Sequence, residues 1–295
     1  MNYGRISTAM VTPFDQQGEV DYTQVTKLVN HLISNGSDSL VIAGTTGESP
    51  TLSKEEKLML FDHVVKTVNG RVPVIAGTGC NNTRDSVELT KKAEQTGVDA
   101  IMLVTPYYSK PSQEGMYRHF KSIAASTRLP VMLYNIPGRS AAGLTPETII
   151  RLSAVENITS VKEASGDLDA MAFIIENTSE NFFLYSGDDS LTLPVLSIGG
   201  MGIVSVSAHI IGNEMQDMIQ AFTSGHPQYA AKRHRELLPI MKSMFAAPSP
   251  APVKAALEIQ GIISGDVRLP MIRLNEEETA ILHTALHPKT AFYVS

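Results

Sequence analysis

The chain has 295 residues, 43% of them apolar and 18% charged, with a formal net charge of −6 at pH 7. Such a composition can bury a large core and carries no signature of disorder, and its acidic balance offers no basic footprint to nucleic acid or to an anionic membrane surface. Cys80 is the single cysteine, which excludes an intrachain disulfide or a cysteine-rich zinc site and suits a reducing compartment, the cytoplasm by default. The opening MNYGRISTAM lacks a basic region followed by an apolar stretch, and no uninterrupted apolar run reaches the roughly 18 residues needed to span a bilayer, so neither export nor membrane insertion is expected.

Length alone leaves one or two domains open; the order of elements is more informative. Strand candidates run in sequence as RISTAMVTPF (5–14), SLVIAG (39–44), VPVIAGTG (72–79), AIMLVTPYY (100–108), LPVMLYNIP (129–137), ITSVKEAS (158–165), FFLYSG (182–187) and GIVSVSAH (202–209). Between them lie segments of helical spacing, such as Val25, Leu28, Val29 and Leu32 before Gly36, or Val87, Leu89, Ala93 and Gly97 after Asn81. Several runs are apolar nearly throughout, as parallel strands with both faces buried require. Eight βα units predict an α/β fold closed as a (β/α)8 barrel, with a doubly wound open sheet as its rival; no G-x-G-x-x-G follows the first strand. The catalytic barrel is expected over residues 1–224. A C-terminal helical region follows over 225–295, with helices at 227–245, 251–264 and 275–286 separated by AAPSPAP and SGDVRLPM.

The residues able to do chemistry gather at or just past strand ends: GTTGES (44–49), GTG (77–79), TPYY (105–108), YNIPGR (134–139), KEASGD (162–167), SGDD (186–189) and SVSAH (205–209). In a barrel that end is the catalytic face. Glycines and small hydroxyl residues there let backbone N–H groups approach an anion, which implies a carboxylate substrate.

Lys162 is the candidate nucleophile. A lysine is protonated and inert at neutral pH, and lowering its pKa from about 10.4 to about 7 or 8 takes roughly 3 to 5 kcal/mol of differential interaction, which an apolar barrel interior can supply. Glu163 follows directly and is expected on the opposite face of the strand, so a simple Lys162–Glu163 ion pair is not. Tyr134 is the candidate proton shuttle and Arg139 a planar fork for a substrate carboxylate. Viewed singly, each has an ordinary alternative: an exposed lysine, a packed aromatic ring, a surface ion pair. Together they describe imine chemistry.

The ordered set GTTGES, TPYY, YNIPGRS, VKEASGD, SGDD and LPM resembles the dihydrodipicolinate synthase branch of the pyruvate-dependent class I aldolase superfamily over nearly the whole chain. The resemblance implies condensation of pyruvate with L-aspartate 4-semialdehyde, at the entry to diaminopimelate and lysine biosynthesis, without metal or organic cofactor. It assigns the pyruvate imine to Lys162 and proton transfer to Tyr134, relayed through Thr45 and Tyr108, with Tyr108 reaching into a neighbouring subunit's site. Thr46 would hold the pyruvate carboxylate near Val204, Arg139 would receive the carboxylate of the aldehyde, and Gly187 would line the same pocket. A homotetramer built from tight dimers is implied, with the dimer as the minimum active unit. Sibling enzymes that act on N-acetylneuraminate or keto-deoxy sugar acids share the lysine and tyrosine and form the alternative; a binding protein without turnover is a second one.

In regulated members of the family, lysine binds at a dimer interface. Ser49, Asn81 and Tyr107 match that pattern, but Lys54 and Lys57 stand where histidines are usual and Asp85 where a glutamate is, so weak or absent lysine inhibition is expected. His283 and His287 form the only helical histidine pair and are read as surface residues. The adjacent Asp188 and Asp189 are read as turn or strand-end caps, and Cys80 is given no chemistry.

Overall fold

The computed structural model describes residues 2–286. Eight parallel strands close into one barrel in chain order: β1 (Ile6–Ala9), β2 (Ser39–Ile42), β3 (Val74–Gly77), β4 (Ala100–Val104), β5 (Val131–Asn135), β6 (Ile158–Glu163), β7 (Phe183–Ser186) and β8 (Gly202–Ser205), with β8 paired to β1. The fold is therefore the expected (β/α)8 barrel, and the open sheet is excluded by its closure.

Helices α1 (Tyr22–Ser34), α2 (Lys54–Val68), α3 (Thr83–Glu94), α4 (Gln113–Ala124), α5 (Pro137–Ser140), α6 (Pro146–Ser153), α7 (Leu168–Glu176), α8 (Thr192–Ser197) and α9 (Ala208–Thr223) fill the connections. Their starts are legible in the sequence. Asp21, Asn82, Ser112, Thr145 and Asp167 each accept a first-turn N–H, and Ser53 with Glu56 forms a reciprocal capping box on α2. Inward-facing side chains, among them Val41, Ile75, Met102, Met132, Tyr185 and Val204, form a core inside the barrel; outward-facing ones such as Ile42, Leu103, Leu133 and Val161 pack under the helices.

The observed strands are shorter than the apolar runs that announced them. The run 5–14 contains a four-residue strand, because Val11 and Phe14 lie beyond the β1–β2 ladder yet remain buried in the core. Apolar character reports burial, and burial continues past the last ladder hydrogen bond.

The C-terminal helices are α10 (Pro227–Ser243), α11 (Ala251–Ile259) and α12 (Glu276–Leu286). Helix α10 packs on α8 and α9, α11 on α9, and α12 on α10 and α11. Among the described residues no helix is long and apolar enough to cross a membrane. His283 lies on α12; His287 lies outside the described residues.

Candidate active site

Strands β5 and β6 bring the two central side chains together. Their parallel register pairs Tyr134 with Lys162 and Asn135 with Glu163, so one pair faces the barrel interior and the next faces out. Lys162 is 4% exposed and Tyr134 3%, and the lysine Nζ lies 4.2 Å from the centre of the tyrosine ring. A side chain that a strand surface would normally expose is thus enclosed, with its nitrogen against a phenol-bearing ring.

Gly187, just past β7, makes room for that lysine. A Cβ on Gly187 would stand 2.5 Å from the Ala164 Cβ and 3.2 Å from the Lys162 Cε, so a larger residue there would collide with Ala164 and crowd the lysine. The Gly187 N–H is tied back to the Glu163 carbonyl at 2.7 Å.

The GTTGES turn after β2 forms the adjacent wall. It begins at Ala43 (φ 51°) and ends at Glu48 (φ 55°), both left-handed, and closes through Glu48 N–H to the Thr45 carbonyl and Ser49 N–H to the Gly44 carbonyl. Thr45 is half-buried and Thr46 is buried. Val204 is buried on the inner face of β8.

Arg139 sits on the short helix α5 and is exposed; among the described residues its guanidinium makes no hydrogen bond or ion pair. It borders two clefts. One, of about 210 Å³, is lined by Gly44, Thr45, Tyr134 and Ile136 and reaches Ser49, Lys57, Cys80 and Tyr107. The other, of about 300 Å³, is lined by Ala164, Gly187 and Asp188. Tyr108 lines neither cleft and is 90% exposed on a left-handed backbone (φ 71°).

The residues considered for lysine regulation separate. Ser49, Lys57 and Tyr107 line the first cleft; Lys54, Asn81 and Asp85 do not. Lys54 is paired with Glu88 at 3.3 Å, while burial lowers the Lys57 pKa from the ordinary lysine value and raises that of Tyr107. The Asn81 side chain donates to the Tyr107 carbonyl at 3.4 Å.

Several polar residues around the site hold its strands and turns in place. Glu163 faces the outside of the barrel, where it accepts from the Asn135 amide and the Ser165 N–H at 2.8 Å each; burial raises its pKa. Asn135 in turn accepts from the Leu144 N–H at 2.9 Å, fixing the segment that follows α5. Asp188 caps the turn at Ser190. Asp189 is buried and accepts from Ser205, Val206 and Ser207, which holds the end of β8. His209 is fully buried, its Nε2 accepting from Val11 N–H and its Nδ1 donating to the Val206 carbonyl, and burial depresses its pKa to about 4. Glu48, inside the GTTGES turn, forms an ion pair with Lys254 of α11 at 2.6 Å, both side chains enclosed. Asp188 caps locally, as expected, whereas the Glu163–Asn135, His209–Val11 and Glu48–Lys254 contacts join positions far apart in the sequence.

Comparison with known proteins agrees with this architecture. The profile described as the dihydrodipicolinate synthetase family matches residues 2–289. The chain is similar to 4-hydroxy-tetrahydrodipicolinate synthase of Bacillus velezensis, 63% identical over 286 residues, covering 97% of this chain and 99% of that one. It is 62% identical over 287 residues to the enzyme of the same name from Bacillus subtilis, with 97% and 99% covered. Among solved structures it is similar to dihydrodipicolinate synthase from Bacillus anthracis, with a TM-score of 0.97 and 56% identity over 98% of this chain and 99% of that one.

Proposed function

The chain belongs to the dihydrodipicolinate synthetase family, and from that premise we propose that it is a lyase that condenses pyruvate with L-aspartate 4-semialdehyde to 4-hydroxy-tetrahydrodipicolinate. The observation that carries the reading is the enclosed Lys162, its nitrogen 4.2 Å from the Tyr134 ring at the mouth of the barrel.

The chemistry follows from those groups. The neutral Lys162 amine attacks C2 of pyruvate, and loss of water leaves an imine. A methyl proton of pyruvate is then removed, giving an enamine whose C3 attacks the aldehyde carbon and forms the new carbon–carbon bond. The amino group of the semialdehyde attacks the imine carbon, closes the ring and releases the lysine. One water is lost overall. Each stage moves a proton, and the phenol of Tyr134 with the hydroxyls of Thr45 and Tyr108 are the proposed carriers. Thr46, Val204 and Gly187 would enclose the pyruvate, and the Arg139 guanidinium, bordering both clefts and without a partner among the described residues, suits the second carboxylate. The names of relatives at 60–63% identity favour this acceptor over a sugar-derived aldehyde.

In this reading the working unit is at least a dimer, because the exposed Tyr108 would complete the site of a partner; the homotetramer is what the family resemblance implies. No metal or organic cofactor has a step to perform.

The test is pyruvate consumption by the purified protein with aspartate 4-semialdehyde, run beside N-acetylmannosamine and small sugar-derived aldehydes. Rapid use of the semialdehyde alone is expected; preference for another aldehyde would move the chain to a sibling activity. Lys162→Ala should abolish turnover, a loss of at least about a thousandfold, and retained activity would refute the imine.

A further inference from the structure

Glu48 lies two residues beyond Thr46 in the GTTGES turn, and its carboxylate is wholly committed to the C-terminal region. One oxygen accepts from Lys254 Nζ at 2.6 Å and the other from the Arg268 N–H at 2.9 Å. Lys254 also donates to the Asp266 carbonyl at 2.7 Å. The Lys254 and Glu48 side chains are 0% and 1% exposed.

The surroundings make this a fixed attachment. Lys254 Nζ lies 4.2 Å from the centre of the Phe14 ring, and the Arg268 guanidinium lies 4.4 Å from the same centre. Arg268 also donates to the Gly18 and Thr51 carbonyls and forms an ion pair with Glu56, the partner of Ser53 in the capping box of α2. The two connections after β1 and β2, together with the start of α2, are thereby joined to the 254–268 segment.

A buried ion pair is a poor source of net stability, since desolvating both charges offsets much of their attraction. The backbone at Glu48 adds to the cost, because a non-glycine residue at φ 55° is strained. A glycine would suit that conformation better. What glycine cannot supply is the anchored carboxylate.

We propose that the Glu48–Lys254 pair is a positioning device for the pyruvate site: it holds the Gly44–Ser49 turn so that Thr45 and Thr46 present their hydroxyls and N–H groups to the substrate carboxylate. The C-terminal helices thereby act on pyruvate binding without touching pyruvate. The two residues are positioning residues, and the inference rests on the Schiff-base reading above.

Borohydride trapping tests both separately. The intact protein is incubated over a range of pyruvate concentrations, reduced, and the adduct on Lys162 quantified by mass spectrometry, with thermal midpoints measured alongside. Trapping on the unaltered protein is expected, and its absence would overturn the imine and this inference together. In the Glu48→Gln/Lys254→Met double variant, which removes both charges, the pyruvate concentration for half-maximal trapping should rise roughly tenfold to a hundredfold. Glu48→Asp keeps the charge but shortens its reach, and should raise that concentration by a smaller factor. Leu32→Ala, which empties a fully buried position on α1, should lower the thermal midpoint while leaving the trapping curve in place. A folded Glu48 variant with unchanged half-saturation, beside an unaltered protein that traps normally, would overturn the positioning role alone.

Discussion

The pairing of Tyr134 with Lys162, the proposed centre of the site, was legible from the sequence. Lys162 puts a cation inside a β-branched run, and Tyr134 ends the run before it; the register that makes them neighbours follows from parallel pairing of consecutive strands. Arg139 was legible as a chemical type, although its place between two clefts was not. Lys54 and Lys57 read alike in the sequence but differ in the fold: Glu88 engages Lys54 outside the cleft, whereas Lys57 lines it with no carboxylate among the lining residues. A second ammonium group about 5 Å from Lys57 would meet a repulsion of roughly 3 kcal/mol at an effective dielectric near 20, and partial burial of Lys57 weakens its screening. Initial rates with and without millimolar lysine should therefore agree within about a factor of two. A steep fall in rate would mean that a counter-charge from elsewhere completes the cleft and that lysine is accepted there.

At the scale of elements, alternation predicted that Glu163 would turn away from Lys162, and it does. Its partner was not predictable, because Asn135 lies 28 positions away and nothing local marks an asparagine on the outer face of a strand. The inner pair Tyr134–Lys162 and the outer pair Asn135–Glu163 occupy consecutive rungs of one ladder, so the polar contact outside holds the strand ends that carry the proposed catalytic pair inside. Asn135→Ala would leave the buried Glu163 carboxylate without one donor and free the Leu144 N–H. The expected loss is about 1 to 3 kcal/mol in denaturant unfolding, accompanied by a fall in kcat larger than the rise in pyruvate KM, since the reacting groups are misaligned more than the carboxylate site. The same loss of stability with unchanged kcat would show that the ladder alone sets the alignment.

At the scale of the molecule, the eight-unit repeat dictated a closed barrel and the change of pattern after residue 224 located the helices that follow. Their attachment to the GTTGES turn was not visible, because Glu48 and Lys254 are separated by 206 positions and each looks like an ordinary surface charge. Assembly is equally hidden in one chain, yet Tyr108 gives it a sharp test. A large aromatic side chain 90% exposed costs solvation and, on a left-handed backbone, conformational energy; both are offset if a second copy receives it. If the hydroxyl serves the partner's Lys162, two inactive variants should complement each other. In a mixed dimer of Lys162→Ala and Tyr108→Phe chains, the site that keeps its lysine receives an intact tyrosine from the other chain. Random reassociation of equal amounts should restore about a quarter of the unaltered activity, half the dimers carrying one complete site of two. Activity no greater than the sum of the separate variants, after exchange has been verified by mass, would place the tyrosine's action within its own subunit and remove the argument for an obligatory dimer.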